Sequence, residues 1–76
     1  MPSLQQRYFD ILISRVGSDR YPSHQLLDRV ESSIANGDQL AVYVEMLIAN
    51  VSASSYPSHQ MLERIQRTML MVAEAR

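Results

Sequence analysis

YPSHQ, at Tyr21–Gln25, is written a second time at Tyr56–Gln60. The offset is 56 minus 21, or 35 residues, and sliding the chain along itself by that amount sets residues 8–34 against 43–69. Beyond the pentapeptide, Tyr8/Tyr43, Leu12/Leu47, Ile13/Ile48, Val16/Val51, Leu27/Leu62 and Arg29/Arg64 are identical, so 11 of 27 positions match without a gap. Asp10/Glu45, Ile11/Met46, Leu26/Met61, Asp28/Glu63, Val30/Ile65 and Ile34/Met69 keep their chemistry. A match of this length at one fixed period marks an internal duplication. Repeat one spans about 4–36 and repeat two about 39–71, within a single domain of residues 1–76.

The unit reads as a helical hairpin. Ser3 and Gln6 have the spacing of a capping box, and Leu4, Tyr8, Leu12 and Val16 follow at a helical period up to Gly17, which is expected to end the helix. A connection through Pro22 precedes a second helix capped by Ser23, with Leu26, Leu27, Val30 and Ile34 as its apolar positions. Asn36-Gly37 is expected to stop that helix and Asp38 to cap the third, which carries Leu40, Tyr43, Val44, Leu47 and Val51 on one face. A second connection, Ser52–Pro57, leads to a fourth helix from about Ser58 toward Arg76, with Met61, Leu62, Ile65, Met69 and Val72 aligned. The expected fold is all-α, four short helices forming two tandem helix-loop-helix hairpins related by a pseudo-two-fold.

YPSHQ is then the entry to the second helix of each hairpin. Proline holds the preceding tyrosine extended, so the helix cannot begin earlier. Serine caps the first turn, and the tyrosine ring is placed to fold back as a hydrophobic staple. Tyr-Pro-Ser is accounted for by these roles; His-Gln is not.

Composition narrows the function classes. Seven arginines, no lysine and eight acids give a formal charge of -1, spread along the chain, so no basic face exists to neutralise a phosphate backbone and nucleic acid is an unfavoured partner. With no cysteine there is no disulfide framework or thiolate metal site. A chain of this length buries only about 60 % of the surface its unfolded form exposes, so further burial is expected from self-association or a partner. No export signal is read, since Asp10 interrupts the only candidate, Tyr8–Ile13, and no apolar run spans a membrane. A cytoplasmic location is the expectation.

His24 and Asp28 are four residues apart, as are His59 and Glu63, within chelating reach on one helical face. Counted at about 100° per residue they point away from the apolar stripe, to water. They therefore read as contact points for a protein partner, and no metal or other cofactor is expected. Nothing resembles a nucleophile turn or a glycine-rich phosphate loop, and both histidines belong to repeated helix starts, so the chain reads as non-catalytic.

The apolar residues outside the core stripes are more informative: Ile11 on helix one, Val42 and Met46 on helix three, Leu70 and Met71 on helix four. A helix apolar on two sides is central or part of an interface. Methionine suits imperfectly matched surfaces, and Met46, Met61, Met69 and Met71 all fall in repeat two. Val42, Met46, Leu70, Met71, His24 and His59 are thus the candidate interface, in a protein-interaction or regulatory module expected to form a homodimer. A transcription-associated or nucleic-acid-binding regulator using Arg64 and Arg67 is the alternative. A 35-residue helix pair has the period of the tetratricopeptide class, but the Trp-Leu-Gly-Tyr and small-residue positions of that pattern are missing. Two repeats are also too few for an open solenoid, which needs three or more.

Overall fold

Each helix begins where a short polar side chain takes the place of the missing fourth-preceding carbonyl. A computed structural model describes residues 2–19 and 21–74, with α1 at Leu4–Ser18, α2 at His24–Ser33, α3 at Gly37–Ser52 and α4 at His59–Glu74. The expected end at Arg76 lies outside the described residues. Ser3 Oγ accepts from the Gln6 amide at 3.0 Å, Ser23 Oγ from Leu26 at 3.1 Å, and Ser58 Oγ from Met61 at 3.1 Å. Ser23→Ala and Ser58→Ala are each expected to cost about 0.5–2 kcal/mol, because each leaves a first-turn amide without its acceptor. Urea midpoints equal to wild type would contradict this.

Four local expectations are corrected. Asn36, not Asp38, caps α3: its Oδ1 accepts from Gln39 N at 2.8 Å, and Gly37 is already helical. Asp38 sits in the first turn, where its charge favours the helix dipole. The capping box of α1 is only half made, because the Gln6 amide donates to Asp10 and accepts from Gln39 instead of turning back to Ser3. Gly17 does not end α1, which runs to Ser18 and is closed by an extended Asp19. Neither tyrosine of the repeated motif forms a staple, since Tyr21 is 75 % and Tyr56 93 % exposed. Pro22, directly before the cap, is the residue that is partly buried.

α1 packs against both α2 and α3, and α3 packs against α4. Phe9, Leu12 and Val16 of α1 meet Leu27 and Val30 of α2, Tyr43 and Leu47 of α3, and Met61 of α4 in one buried cluster. Among the described residues there are no strands. No helix of the described residues is long and apolar enough to cross a membrane.

Positions that correspond in the two repeats do not share an environment. Tyr43 is fully buried while Tyr8 is 43 % exposed; Leu27 is fully buried while Leu62 is 43 % exposed. A strict two-fold would give each pair equal burial. The duplication extends to the chain's hairpins but not to their surroundings.

Candidate functional site

The seam between the hairpins is the most elaborated part of the molecule, and its polar half is built around Glu31. That carboxylate, on α2, accepts from the Tyr43 hydroxyl at 2.6 Å, from Arg67 Nη2 at 2.7 Å and from Arg64 Nη1. Arg64 is nearly buried; it also pairs with Asp28 at 2.9 Å and places Nη2 3.2 Å from His24 Nδ1, which must accept because a guanidinium can only donate. Its Nε has no partner among the described residues. Burial alone would lower the Arg64 pKa, but the hydrogen bonds to Glu31 and Asp28 outweigh it and the net shift is upward. Arg67 is more than half exposed, so its pairing is screened and adds little.

Burial, reinforced by the Glu31 carboxylate, raises the Tyr43 pKa above the ordinary tyrosine range. A pKa raised on folding stabilises the fold fully below the unfolded value, about pH 10 for tyrosine, and that stability is lost as the pH climbs toward the folded value. Thermal unfolding followed between about pH 8 and about pH 11 is expected to show wild type losing stability faster than Tyr43→Phe. Parallel curves for the two proteins would refute the assignment.

A second polar knot closes the other end of the seam. Gln39 is buried on α3, and its amide is paired in both directions with Gln5, at 2.9 and 2.8 Å; it donates to Gln6 at 2.7 Å and accepts from Ala35 N at 2.9 Å. All of its strong hydrogen-bonding groups are thus used, which is what makes a buried amide tolerable. Between the two knots Met46 is half-buried, its Cε methyl lying 3.5 Å from where a Cβ on Gly17 would stand. Met46 is therefore part of the seam within the chain.

The two copies of YPSHQ converge. Tyr21, Pro22 and His24 face Tyr56, Pro57 and Ser58 across a cleft of about 190 Å³ whose other walls include Asn50, Val51 and Met61. His24 further borders an open hollow with Gln60, Glu63, Arg64 and Arg67. Arg64 stands within the His24/Asp28 pair, occupying the position a shared metal ion would need. Among the described residues no group of three metal-ligating side chains comes together. Arg64, bound by two carboxylates, also has little surface to offer a phosphate.

The other candidate residues lie apart from the seam. Val42, Leu70, Met71 and His59 are exposed. Leu4, Tyr8 and Ile11 are exposed at helical spacing along α1, and Ile48 of α3 and Leu62 and Met69 of α4 are exposed on repeat two, where Met69 borders an open groove of about 520 Å³ lined also by Ala41, Val44, Glu45, Val72 and Ala73. Sequence reasoning missed Glu31 and Gln39. Both stand where the duplication changes chemistry, opposite Gln66 and Leu4, and that break in the match was the available signal. No family model, no curated protein and no solved structure matches the chain.

Proposed function

We propose that the chain is a non-catalytic protein-interaction module that self-associates in the cytoplasm, a compartment where a chain without cysteine forgoes nothing by lacking disulfides. The observation carrying this reading is the surface: large apolar side chains stand exposed on both hairpins, Leu4, Tyr8 and Ile11 on the first and Ile48, Leu62 and Met69 on the second. So many on so small a chain exceed the scattered apolar residues of an ordinary monomer surface, and an excess of exposed apolar side chains marks contact sites. The hollows beside them are open and shallow, suited to an apposed helix more than to an enclosed small substrate.

Sedimentation equilibrium at tens of micromolar tests the reading. A molar mass rising with concentration above that of the 8.7 kDa chain is the expected result. A constant monomer mass would remove self-association and leave these faces to a different protein.

A further inference from the structure

The contacts within the seam are not reciprocated, and this identifies the geometry of assembly. Gln39 reaches Gln5 and Gln6, and Met46 reaches Gly17. Under a two-fold, the corresponding residues would meet as well: Leu4 with Leu40 and Ala41, and Ile11 with Ser52. Instead Leu4 is 79 % and Ile11 60 % exposed. The second hairpin therefore sits on the first as one step of a stack. One face of repeat two covers the opposite face of repeat one, so an uncovered face remains at each end.

Those two end faces carry the two halves of the seam a second time. Where Gln39 meets Gln5 and Gln6 in the chain, the end faces offer the exposed Leu4 and the half-buried Ala41, with Leu40 already buried beneath it, so a polar knot is exchanged for an apolar one on both sides at once. Where Met46 fills the space over Gly17, they offer Ile11 and the small Ser52. Where Arg64 is held by His24, Asp28 and Glu31, they offer Arg29 on one face and His59, Glu63 and Gln66 on the other. The last correspondence accounts for the histidine of YPSHQ, which capping leaves unexplained: in the first copy it receives an arginine from the next hairpin.

We propose that the open face of repeat two takes a second copy of this chain, which docks by the outer face of its repeat one and repeats the internal seam between molecules. Arg29 of the second copy lies against His59 and Glu63, and its Leu4, Tyr8 and Ile11 cover Ala41, Leu62 and Ser52. Such a contact is heterologous, so copies add head to tail into a ring or an open filament. The stack thereby gains the three or more units that a helical-repeat array needs for stability. This inference rests on the self-association reading and specifies its surfaces.

Two exposed positions test it by blocking one face each. Ile11→Glu closes the first face and Met69→Glu the second; far-UV circular dichroism checks that both variants fold. Each substitution places a carboxylate in the contact and is expected to weaken self-association about tenfold or more. Mixed in equal amounts, the two variants should form a capped heterodimer, since the mixture retains one intact pair of faces. Arg29→Glu should weaken assembly as well, and adding Glu63→Arg in the same chain should restore it. If Met69→Glu dissociates the assembly while Ile11→Glu leaves it at the wild-type level, the head-to-tail geometry is overturned and a two-fold dimer through repeat two stands in its place. A wild type monomeric throughout overturns both the geometry and the self-association beneath it.

Discussion

Glu31→Ala is expected to destabilise the fold by about 3 kcal/mol, the lower end of the range for removing one partner of a buried ion pair. Three donors lose their acceptor together: the Tyr43 hydroxyl, Arg64 and Arg67. Arg64 is the costly one, because its guanidinium stays nearly buried and keeps only Asp28, which is itself mostly exposed, and His24. At about 0.05–0.15 kcal/mol per residue a chain of this size is worth about 4–11 kcal/mol in all, so the variant should lose between about a quarter and three quarters of its stability. Replacing Glu31 and Arg64 together with apolar residues of similar volume should recover most of the loss, since no charge is then left buried. Chemical denaturation of the single and paired variants measures this. A single variant within about 0.5 kcal/mol of wild type would show the carboxylate to be an ordinary surface group.

The two leucines of the duplicated helix starts should respond very differently to the same substitution. Leu27→Ala is expected to cost about 2–5 kcal/mol, because it opens a cavity in the cluster shared with Phe9, Val16, Val30 and Tyr43. Leu62→Ala, at the identical position of repeat two, should cost less than about 1 kcal/mol in a dilute solution of single chains, where its side chain already meets water. The comparison is informative because local sequence is nearly constant: LLDR surrounds the first and MLER the second. Equal losses would mean that the hairpins have equivalent surroundings, and the stacked arrangement would be wrong. Urea unfolding of both variants at low micromolar concentration separates the cases.

Most of the secondary structure is legible in the sequence, for a physical reason. Helix starts are decided by neighbours within three residues, so Ser3, Ser23 and Ser58 announce the amides they cap. Where two polar residues compete for one start, that locality fails: Asn36 and Asp38 are both good caps, and the choice turns on Gln39 being drawn into the seam, where its side chain also takes the Ala35 amide. The candidate site is less legible, because periodicity reports which face is apolar and not which face is covered. Gln39 and Glu31 read as solvent-facing polar residues, yet Gln39 is buried and Glu31 partly buried, each completing a hydrogen-bonded set across 30 or so residues of chain, as the span from Glu31 to Arg64 illustrates. Tyr8 and Tyr43 are indistinguishable by pattern. Only the stacking of one hairpin on the other decides that Tyr43 is core and Tyr8 is surface.

Duplication thus has a consequence beyond repeating a helix pair. If two copies of one unit are stacked in the same sense, as proposed, they end in unlike faces, and some residues that differ between the copies are adapted to the internal seam. Glu31 against Gln66 and Gln39 against Leu4 are such differences, while His24 and His59 are the same, and in the proposed assembly each receives an arginine. Val42, Leu70 and Met71 are exposed and lie outside the two faces proposed for assembly.

The most direct test of this account is a dilution series of the wild-type chain followed by amide chemical shifts, from millimolar to low micromolar concentration. The account predicts that concentration-dependent shifts gather on two separate surfaces at once, around Leu4, Tyr8, Ile11 and Arg29 on repeat one and around Ile48, His59, Leu62 and Met69 on repeat two. Shifts confined to repeat two, or spectra that do not change with concentration, would contradict it.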